Sequence, residues 1–152
     1  MIKIDVFVQD KNWKKYIPYP NIYLKNKIKL IKTLPKFIKG KKINFSILLA
    51  GNKEIALLNK KFRNKNKATD ILSFPFYKIK EIKKLKKRNL YLGDVILNFN
   101  KINKKIFKKD FDRLWVHGFL HLLGHKHYRI KDFKKMNKIE KLILKKFRKS
   151  ND

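Results

Sequence analysis

Cysteine is absent from the 152 residues. Without it there is no disulfide framework, no thiolate nucleophile and no cysteine-held zinc, so any soft-metal site must be built from the four His. Glycine and proline number only five and four, and there is no internal repeat and no low-complexity tail. No apolar run approaches the roughly 18 to 20 residues needed to span a bilayer. The N-terminus, MIKIDVFVQD, alternates and carries Asp5 and Asp10, unlike a secretory signal peptide. These absences disfavour a membrane or exported protein and lead us to expect a cytoplasmic one. What is present is a chain 43% hydrophobic and 13% aromatic, rich enough in apolar surface to fold unaided, and of a length suited to one domain spanning residues 1–152.

Acidic residues are also scarce. Forty-two Lys and Arg face eleven Asp and Glu, a formal net charge of +31. A field of that size attracts polyanions and makes nucleic acid the expected partner class. Only Arg63, Arg88, Arg113, Arg129 and Arg148 are Arg. The surplus of Lys, Asn and Ile is also the pattern left by an AT-rich coding sequence, so codon bias accounts for part of the charge.

Hydropathy patterning predicts both strands and helices along the chain. Residues 2 to 8 alternate as a strand, Pro18 and Pro20 interrupt the chain, and an amphipathic helix is expected from about Asn21 to Ile38, ended by Gly40. A buried strand follows from Lys42 to Ala50, then a short helix from Lys53 to Phe62. Arg63 to Ala68 reads as a polar loop, Thr69 to Phe76 as a strand stopped by Pro75, Lys78 to Asn89 as a Lys-rich loop, and Leu90 to Phe99 as another strand. Helices are expected from Phe107 to Leu123 and from Ile130 to Phe147.

All four His fall in one window, HGFLHLLGHKH, from His117 to His127. His117 and His121 are four apart on the expected helix, so both imidazoles project from one face and can share a metal. On a straight continuation His125 would lie about 12 Å along the axis from His117, too far for the same ion. The chain must turn. Gly124 supplies a left-handed cap, and His127 is placed to swing back over the other two. Three neutral imidazoles leave a fourth position for water, whose pKa a divalent cation lowers toward about 7. His125 is expected to be exposed, with a fourth-ligand or ligand-holding role as the alternatives. The spacing H-x-x-x-H-x-x-G-x-x-H also occurs in metzincin proteases, but their general-base Glu follows the first His, where this chain has Gly118. A glycine inside a helix suggests close approach there, either of another element or of a substrate.

These residues resemble a known family, the YbeY endoribonucleases, bacterial rRNA maturation factors. The family hallmark H-G-x-L-H-L-x-G-Y-D-H is similar to HGFLHLLGHKH, with His125 and Lys126 in place of Tyr-Asp. LNKKFRNKNKATDILSFPF (Leu58 to Phe76) and LGDVIL (Leu92 to Leu97) resemble two further family blocks. The resemblance implies an α+β fold, a mixed sheet of about four strands flanked by helices, with the metal site on a C-terminal helix and its following loop. It further implies one divalent ion, expected to be Zn2+, held by His117, His121 and His127. The activity implied is hydrolysis of single-stranded RNA in 16S rRNA 3′-end maturation and ribosome quality control, with rRNA and the small ribosomal subunit as partners. The family arginine matches Arg63, whose guanidinium suits a phosphate and the charge developing on it. Asp70 and Asp94 read as turn and strand-end residues, Asp94 also as a candidate partner for a ligand His. Two alternatives stand beside this reading: a metzincin-like metalloprotease, and a non-catalytic ribosome-assembly RNA chaperone with a structural metal.

Overall fold

The strands of the computed structural model, which describes residues 1–150, form one mixed sheet. They are β1 (Ile2–Val8), β2 (Lys42–Ala50), β3 (Ile71–Pro75) and β4 (Asn89–Asn98), in the order β1-β2-β4-β3. The first, second and fourth run parallel, and β3 pairs antiparallel with β4. Alternation in β2 puts Ile43, Phe45, Ile47 and Leu49 on one face, all buried. The helices are α1 (Trp13–Tyr16), α2 (Pro20–Ile28), α3 (Asn52–Arg63), α4 (Ile79–Lys84), α5 (Phe107–Leu122) and α6 (Ile130–Lys149). This is the expected α+β arrangement, and no helix among the described residues is long and apolar enough to cross a membrane.

Helix α5 lies on the Ile43 face of the sheet and buries Phe111, Leu114, Trp115, Phe119 and Leu122. Side chains of this size contribute about 1.5–3 kcal/mol each when fully buried, so this one helix anchors the main core. Two polar ties fix its surroundings. Trp13 Nε1 donates to the Ala50 carbonyl at 2.8 Å. The buried Asp112 carboxylate accepts from the Tyr23 hydroxyl and from Trp115 Nε1, each at 2.9 Å, with Lys27 Nζ at 3.8 Å. Burial pushes the Asp112 pKa up, and these donors and the cation pull it back. The opposite face of the sheet is covered by α3 through Ala50, Ile55, Leu72 and Ile96.

The helix expected from Asn21 to Ile38 is shorter: α2 stops at Ile28, and only a 3-10 turn at Lys36–Ile38 follows. Pro35 bars a helix running through to Ile38, since it removes an N–H and disfavours helical geometry at Leu34; the stop at Ile28 comes before its reach. Pro20 is not a breaker but the first residue of α2, where its missing N–H costs nothing. The Lys-rich stretch from Lys78 to Asn89 is not all loop. It contains α4, whose Glu81 side chain accepts the Lys78 N–H and whose Ile82 enters the core at 1% exposure. Arg63 is the last residue of α3 rather than the first of the loop, and Asn64 closes the helix at φ 54°.

Gly118 faces the sheet. A Cβ there would stand 2.7 Å from Val95 Cγ1 and 2.9 Å from Ile71 Cδ1, so the close approach is by β3 and β4. Replacement by Ala gains about 1 kcal/mol of helix propensity, but forcing a methyl into a filled interface costs about 1–3 kcal/mol. We predict that Gly118→Ala lowers stability in urea denaturation and that Gly118→Val lowers it further. A Gly118→Ala chain as stable as wild type would contradict this packing.

Candidate metal centre

Helix α5 ends in a Schellman cap. Gly124 adopts φ 93°, its N–H bonds the His121 carbonyl at 3.0 Å, and the His125 N–H bonds the Leu120 carbonyl at 3.1 Å. The chain therefore reverses where the sequence requires it to, and the imidazoles of His117, His121 and His127 come together. Their ring centroids are 4.6, 4.9 and 5.7 Å apart, and one ligand atom from each lies within 4.8 Å of the others. Nitrogens around a tetrahedral ion with bonds of about 2 Å are about 3.3 Å apart. The spread is small, and His127, the exposed member on the loop, is the one with freedom to close it.

Hydrogen bonding decides which nitrogens face the centre. His117 Nδ1 lies 2.5 Å from Glu140 Oε1, and His121 Nδ1 lies 2.8 Å from the His125 carbonyl oxygen. Both partners are acceptors, so each Nδ1 carries the proton and donates it. That leaves the two Nε2 lone pairs facing each other at 3.0 Å. Two lone pairs at that separation repel unless a cation lies between them. The residues present thus fit a divalent ion, and the donor set, three neutral imidazoles, suits a borderline-soft metal.

Glu140 was not anticipated from the sequence. It comes from α6, 23 residues from His117, and its side chain is 14% exposed. A signal for it existed: α6 buries Met136, Ile143 and Phe147, and Glu140 falls at the helical spacing between the first two. A carboxylate on the apolar stripe of a helix breaks the pattern and needs a partner. Asp94, the candidate considered instead, turns away. Val95 packs under Gly118, so its neighbour faces the other side of the sheet. There Asp94 accepts from the Tyr91 hydroxyl. His125, expected to be exposed, is half-buried, and its backbone carbonyl orients His121. Its pKa is lowered by burial and then by nearby Lys135, with Glu140 opposing.

Arg63 is exposed and reaches the edge strand β3. Its Nη2 donates to the Ser73 carbonyl at 2.9 Å, and its guanidinium carbon sits 5.6 Å from the Phe74 ring centroid. On β3 the residues at 70 and 76 exchange bonds with β4 through the Asp70 carbonyl and the Phe76 N–H, so the Ser73 carbonyl points outward from the sheet. Arg63 covers that free edge. Its observed partners are both on β3, whereas the three His partner one another.

A family profile for endoribonuclease YbeY matches residues 8–148. The chain belongs to the YbeY family. An endoribonuclease YbeY of Pelagibacter ubique is 48% identical over 151 residues, covering 95% of each chain. One from Buchnera aphidicola is 38% identical over 133 residues, 83% of each chain. The solution structure of a Thermotoga maritima protein superposes with TM-score 0.52 at 21% identity, covering 96% of this chain and 88% of that one, which supports the fold alone. Members of the YbeY family are nuclease hydrolases, and this chain is one.

Two predictions follow from the geometry. Glu140→Gln removes the anionic acceptor behind His117, and loss of such a partner typically weakens metal binding 10- to 100-fold. Competition with a chelator of known affinity measures this, and unchanged affinity would rule out the role. Burial, then the neighbouring His117, lowers the His121 pKa from 6.5 to about 4. Between about pH 4 and 6.5 the unfolded chain therefore binds the extra proton, and stability falls as pH falls through that window. In chelator, the melting temperature of wild type should drop from pH 7 toward pH 4, and His121→Gln should flatten part of the drop.

Proposed function

We propose that this chain acts as one metal-dependent endoribonuclease domain on single-stranded rRNA, in maturation of the 16S 3′ end and in ribosome quality control. The observation that carries it is the pair of Nε2 atoms facing each other at 3.0 Å with His127 completing the set, in a chain of an endoribonuclease family. We take His117, His121 and His127 as the ligands and zinc as the ion. When bound, the ion supplies Lewis acidity at a phosphodiester and acidifies a water toward neutral pH. The chain does the rest. Glu140 and the His125 carbonyl hold the ligand protons at Nδ1, so in the neutral rings both Nε2 lone pairs are left for a metal. Arg63, using one donor on Ser73, keeps other N–H groups free to bind a phosphate oxygen and to steady charge that develops there. The surplus of 31 positive charges draws RNA or the small ribosomal subunit toward the site, with screening by salt.

The peptidase alternative lacks room for its base. A carboxylate after His117 would have to replace Gly118, against Val95 and Ile71. The chaperone alternative is separated by experiment. Wild type and His121→Ala, purified in parallel, are compared on an RNA bearing the 16S 3′ precursor end, with metal content and RNA affinity measured on both. We expect the variant to lose the metal and cleavage while still binding RNA. Equal cleavage by both would mean a contaminant, and a metal-loaded wild type that never cuts would favour the chaperone.

A further inference from the structure

The segment leaving the metal centre reads K-H-Y-R-I-K-D-F-K-K from Lys126 to Lys135, and residues 126 to 131 are exposed without interruption. Within it Tyr128 is 87% exposed, Ile130 77% and Phe133 56%. Single exposed apolar side chains are ordinary, but three large ones within six residues of chain need a reason. The local structural reason would be a hydrophobic staple, because Tyr128 precedes the cap residue Arg129 and Phe133 is the fourth residue of α6. A staple buries its two members against each other. Tyr128 remains open instead, and its ring neighbour is His127, with centroids 6.2 Å apart at 50°.

Cations interrupt this stretch at every step: Lys126, Arg129, Lys131, Lys134 and Lys135. Aromatic rings interleaved with positive charge are the chemistry of a single-stranded nucleic-acid surface, in which the cations track phosphates and the rings stack on bases. We propose that Tyr128 forms a stacking wall for an unpaired RNA base next to the phosphate presented to the His117, His121 and His127 centre. This inference rests on the RNA-cleaving reading and adds to it a means of selection. Every base offers a π face, so the wall tolerates sequence; a base stacked within a duplex has both faces covered, so the wall favours single strands.

The test compares two labelled strands of equal length and charge, one a single-stranded RNA and one an abasic backbone, by fluorescence anisotropy in chelator so that neither is cut. Tyr128 is exposed enough that its replacement leaves folding intact. Tyr128→Ala should weaken RNA binding about fivefold or more, the low end for one stacked base, leave the abasic strand unchanged, and be restored by Tyr128→Trp. Equal losses on both strands, or no loss, would overturn the wall while leaving the RNA reading in place. Tyr128-dependent binding to phosphatidylglycerol vesicles with unchanged RNA affinity would overturn it in favour of a membrane-surface role. If wild type binds neither strand, the RNA reading falls and the wall with it.

Discussion

Two imidazoles one helical turn apart can serve one ion only if each turns an unprotonated nitrogen toward it. In this chain that requirement is met by two oxygen acceptors from different places. Glu140 reaches His117 from α6, and the His125 carbonyl reaches His121 from the turn that ends α5. The fold can be understood as what those two acceptors need. Gly118 lets α5 settle onto β3 and β4, Gly124 lets the chain reverse so that His125 and His127 return, and the apolar stripe of α6 brings a carboxylate alongside α5. Loss of a partner that orients a ligand typically weakens metal binding 10- to 100-fold.

The electrostatic arrangement works at two ranges. Near the centre, burial and then the neighbouring His117 push the His121 pKa down to about 4, which favours the neutral imidazole that a metal ligand needs. Far from it, the large positive surplus acts on polyanions over roughly a Debye length and is sequence-blind. Selection must therefore come from close contacts. The exposed Tyr128, next to His127, offers one such contact, and Arg63 stands on the β3 edge.

Much of this was legible in the sequence because it depends on short-range rules. The His117 and His121 spacing, the Gly124 reversal and the return of His127 each follow from helix geometry within eleven residues. The first strand was legible from alternation, and the other three from short apolar runs bounded by turn residues. What failed were features set by tertiary packing or by a single overriding residue. Pro35 bars the continuous helix to Ile38 that the apolar pattern alone would draw, and Ile82 drew a Lys-rich stretch into the core as a helix. The acceptors behind the ligands were hidden for the same reason: Glu140 meets His117 only through the packing of α5 against α6, and the partner of His121 is a backbone carbonyl, which no residue type announces. Gly118 was read as a close approach without its partner, and the sheet supplied that partner.

The central claim is that His117 and His121 both carry their proton on Nδ1 and present Nε2 to a common ion. A long-range nitrogen–proton correlation spectrum of the imidazole rings, recorded at neutral pH in chelator and again with one equivalent of zinc, tests it most directly. The account predicts Nδ1–H tautomers for both rings without metal, and a shift of the Nε2 resonances of His117, His121 and His127 together when zinc is added. An Nε2–H tautomer at either His117 or His121, or a zinc-induced shift confined to one ring, would contradict it.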